Sequence, residues 1–384
     1  MLFKTTKILN MDNDILNLDP YENSDLQEPE MIRIGFTQGD INGIGYEIIM
    51  KALSEIGTPY SFIPILYGSS KIASYHRKTL SIPDLPFNHV RKASQALPHK
   101  VNIVNITDKE IRVNLGQSTP EAGEMAYLSL HQACRDLEDG LLNVLVTAPI
   151  NKYNIQSPEF HFPGHTEFLA NRFRAANPIM TMVYNNLRIG FVTNHVPVRQ
   201  IADNITTDLV YNKIKALNLS LFQDFGISHP KIAVLSLNPH AGDRGLLGSE
   251  ENEIISPAIH QAFEEGILAL GPFPADGFFG MDHYRKFEGI LAMYHDQALP
   301  VFKILAQDYG VNFTAGLPFV RTSPAHGTAY DIAGKDKASH HSMREAIYLA
   351  IDVFKNRLEY ARITANPLRS PIQQNSEETE EEEI

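Results

Sequence analysis

The sequence predicts an α/β fold with a mainly parallel sheet, and three observations point there. From Met31 onward, short β-rich runs alternate with helical patterns, the order that strand–helix–strand crossovers require. No internal repeat is present. The chain has 384 residues, 43% of them hydrophobic and 20% charged, enough for one large or two medium domains of roughly 100–200 residues. The first pair is "MIRIGFT" (31–37), a β-rich run, and "GYEIIMKAL" (45–53), a helical one. "NVLVTAPI" (143–150) precedes "GHTEFLANRFRAA" (164–176), and "LRIGFVTN" (187–194) precedes "VRQIADNI" (198–205). "KIAVLSL" (231–237) precedes "SEENEIISPAIHQAFEEG" (249–266), and "GILAMY" (289–294) precedes "LPVFKILAQ" (299–307).

The net charge of −12 is concentrated at the two ends. Residues 1–30 carry seven acidic side chains against Lys4 and Lys7, and the tail "SEETEEEEI" carries six. Residues 1–30 and 366–384 are therefore expected to be disordered acidic extensions, with Met31 a second candidate start. The body between them is close to neutral, so nucleic acid is not an expected partner. No uninterrupted apolar run approaches the roughly 20 residues that cross a membrane. The N-terminus has no apolar signal core, and a cytoplasmic protein is the expectation. Cys134 is the only cysteine, which precludes an intrachain disulfide; its helical setting, "LSLHQACRDLEDG", suggests a buried, inert thiol.

In open α/β sheets, ligands bind beyond the carboxyl ends of strands. Four loops near strand–helix junctions carry a histidine: His165 in "FPGHTEFLA", His195 in "FVTNHVPVRQ", His240 in "SLNPHAGDRG" and His295 in "AMYHDQALP". Taken singly, each reads as a hydrogen-bonded loop residue. His195, His240 and His295 each follow a convincing strand, and three imidazoles can hold a divalent metal while leaving positions open. Two roles are open to Asp296: orienting a ligand imidazole or capping the following helix. Thr166 is placed to N-cap "EFLANRFRAA", whose free N–H groups would accept a phosphate. Gly39, Gly43 and Gly45 in "GDINGIG" read either as an anion-binding loop or as a tight turn. Their spacing matches neither the dinucleotide fingerprint nor a P-loop.

The most informative stretch is "RTSPAHGTAYDIAGKDKAS" (321–339). Its His326-Gly327-Thr328-Ala329 and Asp331-Ile332-Ala333-Gly334 resemble the loop with which isocitrate and isopropylmalate dehydrogenases hold the adenosine of a nicotinamide dinucleotide without a Rossmann fold. With "GDINGIG", "VTAPINK", "PGHTEF", "TNHVPVRQIADNIT", "LNPHAGDRGLLGSEE", "GPFPADGFF", "AMYHDQALPVFK" and "GVNFTAGLPFVRTS", the ordered set over residues 31–365 resembles the 4-hydroxythreonine-4-phosphate dehydrogenase family of vitamin B6 synthesis.

That resemblance implies two α/β lobes around a cleft, residues 31–145 with 310–365 against 146–309, and a homodimer with the site at its interface. It implies one divalent metal on His195, His240 and His295, one of them from the partner chain. Zinc suits three histidines best, with cobalt, manganese or magnesium as other ions. His165, Thr166, Lys303, Asn312 and Arg321 match substrate contacts, the two cations suiting a phosphate and a carboxylate. His326, Gly327, Thr328, Ala329 and Asp331 match the contacts to NAD or NADP. Asp276 and Lys303 are the candidate proton acceptors.

The implied reaction oxidises a small phosphorylated hydroxy amino acid, followed by loss of CO2. Three other readings stand beside it: a 4-phospho-D-threonate or 4-phospho-D-erythronate dehydrogenase, a phosphate acyltransferase of related fold, and a non-catalytic metal- or nucleotide-binding protein. Three departures from the family pattern are visible: Asn151 where histidine is common before the lysine, "GDINGIG" for "GEPAGIG", and "SPA" where an acidic residue often precedes the HGTA segment.

Overall fold

A single twelve-stranded sheet runs through the protein, in a computed structural model that describes residues 28–80 and 85–366. The predicted acidic extensions lie outside the described residues, apart from their innermost positions. The chain begins with β1 (Ile32–Thr37), α1 (Gly45–Ile56), β2 (Phe62–Gly68), α2 (Ser70–Thr79), β3 (Phe87–Val90), β4 (Val101–Asn105), α3 (Pro120–Glu138) and β5 (Val144–Thr147). It continues with α4 (His165–Arg172), β6 (Ile179–Tyr184), β7 (Leu187–Thr193), α5 (Ile201–Asn204), α6 (Thr207–Gln223) and β8 (Lys231–Leu235). The remaining elements are α7 (Ser256–Glu264), β9 (Leu268–Phe273), α8 (Ala275–Gly280), β10 (Gly289–Tyr294), α9 (His295–Ala306), β11 (Val311–Ala315), β12 (Val320–Pro324) and α10 (His341–Thr364).

The strand order is β3-β4-β2-β1-β5-β12-β11-β6-β7-β10-β8-β9. Both flanks are parallel, as the alternation of strands and helices requires, while β12–β11, β11–β6 and β6–β7 pair antiparallel. Three reversals make the two parallel blocks run in opposite directions. The antiparallel centre arises from short connections: Tyr184 pairs with Leu187 across Asn185-Asn186, with Asn185 left-handed at φ +50°. A two-residue turn of this kind admits a hairpin and no crossover helix. Inner flank strands such as β2 are buried on both faces and read as continuous apolar runs, "FIPILYG", whereas the edge strands β3 and β9 are partly exposed.

Helices cover both faces. Met125 and Ala126 of α3, Ile48 and Leu53 of α1 and Met343, Ile347, Val353 and Leu358 of α10 are all buried in the core. The segment after β5 joins the same packing: Ile155, Phe160, Phe168 and Leu169 cluster with Ile63, Tyr67, Leu130 and Cys134. Cys134 is fully buried, and burial pushes its thiol up to about 12, which bears out an inert residue. Among the described residues, no helix is long and apolar enough to cross a membrane.

The buried His76 on α2 makes stability pH-dependent. Its Nε2–H donates to the Ile41 carbonyl at 2.8 Å, and its ring stacks on Tyr46 at 4.9 Å. Burial brings its pKa down from 6.5 to about 4. The unfolded chain therefore binds the proton first as pH falls, so this contribution is intact above pH 6.5 and lost progressively toward pH 4. At the lower limit the loss amounts to about 3 kcal/mol. Replacing His76 with Gln keeps a donor for Ile41 but cannot titrate. Urea midpoints measured between pH 7 and 4 should fall less steeply in H76Q, and equal slopes would contradict the assignment.

Candidate active site

Parallel, in-register pairing brings two of the strand-end histidines together. Tyr294 at the end of β10 lies opposite Thr193 at the end of β7, so both loops leave the sheet side by side. His295 opens α9 and His195 stands two residues past β7, with ring centroids 6.1 Å apart. A small cavity of about 140 Å³ is lined by both, with Asn194, Tyr294 and Asp296.

Each ring is held by a carboxylate on its inner nitrogen. His195 Nδ1–H donates to Glu167 at 3.1 Å, and His295 Nδ1–H donates to Asp296 at 2.6 Å. Asp296 thus orients the imidazole and makes no cap to α9, whose N-cap is Tyr294. That arrangement leaves both Nε2 lone pairs for another partner, as in carboxylate–histidine–metal sites. At His195, Nε2 accepts from the Lys152 ammonium at 3.0 Å. A cation therefore already stands where an ion would be bound, and the donor set fits a divalent metal.

His240 is not among the residues lining that cavity. It follows β8 by five residues, at an exposed loop where His240 to Arg244 all adopt positive φ. The base of that loop is tied down by the buried Glu251, which accepts from the backbone N–H groups of Leu237 and Asn238. Among the described residues, one group of three possible metal ligands lies within 4.8 Å of one another, Glu55 with His340 and His341, and it includes none of the three predicted histidines. In that group Glu55 is held by Arg344 Nη1 at 2.6 Å, which makes it an ion-pair cluster.

Beside the histidine pair lies a buried cationic pocket. Arg321 of β12 is only 2% exposed, yet it pairs with no carboxylate among the described residues. Its Nε and Nη2 both donate to Thr147 Oγ1, at 3.1 and 2.7 Å, and Nη1 donates to Thr314 Oγ1 at 3.0 Å. Burial pushes the guanidinium down to about 10, against the pull of nearby Glu167. Thr166 Oγ1 lies 3.3 Å from Thr314 Oγ1. It is the second residue of α4, whose N-cap is Gly164, so the predicted cap at Thr166 is corrected. The first helical bond runs from the Phe168 N–H to the Gly164 carbonyl, as expected with Gly164 at the N-cap.

Three buried polar atoms around this pocket have no partner among the described residues: His165 Nε2, Glu167 Oε2 and Asn312 Oδ1. Asn312 and Thr314 are two apart on β11 and so share one face of the strand. Burial, reinforced by the positive charges of Arg321 and Lys152, holds His165 well below its usual pKa, hence neutral. Unpartnered buried acceptors beside a buried cation describe a site shaped for a polar ligand that carries both negative charge and hydrogen-bond donors.

The predicted cofactor loop rests on the glycine-rich turn after β1. Ile44 N–H donates to the Thr328 carbonyl at 3.1 Å, and a Cβ on Gly43 would meet that carbonyl at 2.7 Å. The N–H groups of Asp40, Asn42, Gly43 and Ile44 are all engaged within the protein. "GDINGIG" is thus a buried platform and not an anion cradle. Above it, His326 Nδ1–H donates to Gly327 O at 3.1 Å, and its enclosed Nε2 has no partner among the described residues. Nothing lies within 4 Å of a Cβ built on Gly327, so the loop presents an open face. Ala329 sits at φ +43° and Asp331 is exposed. These residues fit a bound dinucleotide.

Lys303, two turns along α9 from His295, lies near His326 and lowers its pKa further after burial does. Asp276 is exposed on the first turn of α8 and has no side-chain partner among the described residues. Lys152, Glu167, Thr147 and Thr314 were missed as site residues. For Lys152 a signal existed, its place in "TAPINK" just past β5; for the buried threonines none did.

Residues 61–350 match the family described as pyridoxal phosphate biosynthetic protein PdxA. The chain is 54% identical over 343 residues to a 4-hydroxythreonine-4-phosphate dehydrogenase of Bacteroides thetaiotaomicron, covering 89% of this chain and 94% of that one. It is 37% identical to a putative D-threonate 4-phosphate dehydrogenase of Cutibacterium acnes, covering 84% and 94%. A crystal structure of a 4-hydroxythreonine-4-phosphate dehydrogenase from Klebsiella pneumoniae superposes with a TM-score of 0.74 at 32% identity, covering 85% of this chain and 99% of that one.

Proposed function

The chain belongs to the PdxA family of pyridoxal phosphate biosynthetic proteins, and on that premise we propose that it oxidises 4-hydroxythreonine 4-phosphate with a nicotinamide dinucleotide. The C3 hydroxyl becomes a ketone, and the resulting 2-amino-3-oxo-4-phosphooxybutanoate loses CO2 to give 3-amino-2-oxopropyl phosphate. The observation that carries this reading is the buried Arg321, ion-paired to no carboxylate among the described residues, beside the unpartnered atoms of His165 and Asn312. A doubly charged phosphate and a carboxylate are the groups such a pocket lacks.

When bound, a divalent ion acidifies a hydroxyl held against it and a nicotinamide ring accepts a hydride. His195 and His295 would hold the ion through Nε2, with His240 supplied by a second copy of the chain. The exposed apolar Val198 (81%) and Leu246 (78%), close in sequence to His195 and His240, support a homodimer with the site at its interface. Zinc suits this set best. Lys152 would leave His195 as the ion arrives and turn to the substrate's negative charge. His165, kept neutral, would hydrogen-bond the substrate, with Thr166 and Asn312 completing the pocket. Lys303, whose charge reaches His326 of the loop that would take NAD or NADP, shares with Asp276 the candidacy for proton acceptor. The lobe division at 31–145 with 310–365 against 146–309, and a cytoplasmic location, belong to the same reading.

The test is formation of NADH from NAD and 4-hydroxythreonine 4-phosphate, with EDTA and after metal is restored. Metal-dependent reduction supports the proposal, and undiminished turnover in EDTA refutes the metal site. D-threonate 4-phosphate belongs in the same assay, because the Cutibacterium relative carries that name. Asp296→Asn should weaken metal affinity about 10–100-fold by loosening the His295 ring. Competition with a chromogenic chelator measures this, and an unchanged affinity would remove Asp296 from that role.

A further inference from the structure

Three loops meet at one buried carboxylate, and a fourth segment joins through Asn151. Asp40, 1% exposed, accepts from Tyr330 Oη at 2.7 Å and Asn154 Nδ2 at 2.8 Å on one oxygen, and from Asn42 N–H at 2.9 Å on the other. Tyr330 follows directly on the His326–Ala329 segment; Asp40 and Asn42 belong to the turn after β1, and Asn154 to the loop after β5. The Tyr330 hydroxyl also accepts from Asn151 Nδ2 at 3.0 Å, and Asn151 donates at the same distance to Ser118 of the fourth segment. The adjoining turn is fastened too, since Gly116 N–H donates to Asn42 O and Asn114 N–H to Asn42 Oδ1.

We propose that Asp40, Tyr330 and Asn151 form a buried pin that positions the dinucleotide loop, and that this pin ties the loop to the residue beside Lys152. The proposal rests on the reading of His326–Asp331 as a dinucleotide site. None of the three residues needs to touch the reacting atoms, so they are positioning residues. Tyr330 bonds Asp40 from the middle of the loop, between Ala329 and Asp331, so this hydrogen bond sets how the open face at Gly327 is presented. Ala329 at φ +43° is backbone that an L-residue rarely holds without such fastening. On the far side, Asn151 is the chain neighbour of Lys152, whose ammonium lies on His195. A shift of the loop is therefore transmitted to the histidine pair through one peptide unit.

Tyr330→Phe keeps the ring and removes only the hydroxyl. It should weaken NADH binding to the protein without substrate by roughly tenfold, read by nucleotide fluorescence, because a misplaced loop must be reordered on binding. The KM for NAD should rise in parallel while kcat at saturating NAD stays within about twofold. Asp40→Asn should act the same way, and the Asp40→Asn/Tyr330→Phe pair should be no worse than either single change. Melting temperatures are measured alongside. Unchanged NADH binding in Tyr330→Phe, with His326→Ala weakening it, overturns the pin alone. Unchanged binding in His326→Ala overturns the loop reading and the pin with it.

Discussion

Replacing Arg321 with Met is expected to lower kcat/KM for the phosphorylated substrate by roughly 10³-fold, in line with the loss of one partner of a buried charge pair. Met is close in volume and apolar, so packing around Thr147 and Thr314 survives while the charge is lost. The desolvated guanidinium has two threonine hydroxyls as its hydrogen-bond partners among the described residues. Removing an uncompensated buried cation should hold or raise the melting temperature. Lost activity with retained stability is the signature of a residue kept for its ligand. Arg321→Lys keeps the charge but not the fork to Thr147 and Thr314, and should fall between the two. A Met variant within tenfold of the parent, assayed at subsaturating substrate, would show that the pocket does not take the anion.

Asp224→Ala should destabilise the fold by about 3–5 kcal/mol, because it leaves Arg357 charged and buried. Asp224 is fully buried at the end of α6, and Arg357 Nε donates to it at 2.6 Å from α10. Ser220 Oγ holds its second carboxylate oxygen at 2.7 Å, and Arg357 Nη1 reaches the Leu317 carbonyl beyond β11. The pair thus joins α6, α10 and the connection from β11 to β12. The double change Asp224→Leu/Arg357→Met should recover most of the loss, since an apolar pair of similar volume needs no desolvation of charge. Urea midpoints with the slope held constant measure both. A shift in the single variant too small for 1 kcal/mol would mean the pair is solvated.

Much of the site was legible because its residues sit where local sequence pattern is informative. An apolar β-rich run ending at "YHDQ" or "TNH" marks a strand terminus, and a strand terminus in an α/β sheet is where chemistry belongs. The glycine-rich turn was ambiguous for a local reason as well: close backbone approach and anion binding ask for the same residue. Contact with Thr328 decided it, and that contact spans nearly three hundred positions. Thr166 was misread as a cap because "GHTEF" offers two possible starts one residue apart. The chain took Gly164, which frees the Thr166 hydroxyl to face Thr314.

What the sequence determined by itself was the alternation of strands and helices, the identity of the metal-capable and anion-capable side chains, and the loop that reads as a dinucleotide site. These depend on spacing and residue chemistry, which are local. What tertiary structure alone decided was adjacency. That β7 lies beside β10 in register, so that His195 meets His295, follows from strand order. The antiparallel centre follows from a two-residue turn between β6 and β7 and the pairing of β11 with β6. Arg321, one arginine among many in the sequence, becomes a buried cation only when β12 is inserted between β5 and β11, with Thr147 and Thr314 on either side. Burial and charge compensation are properties of the packed neighbourhood, and long-range pairing assembles that neighbourhood.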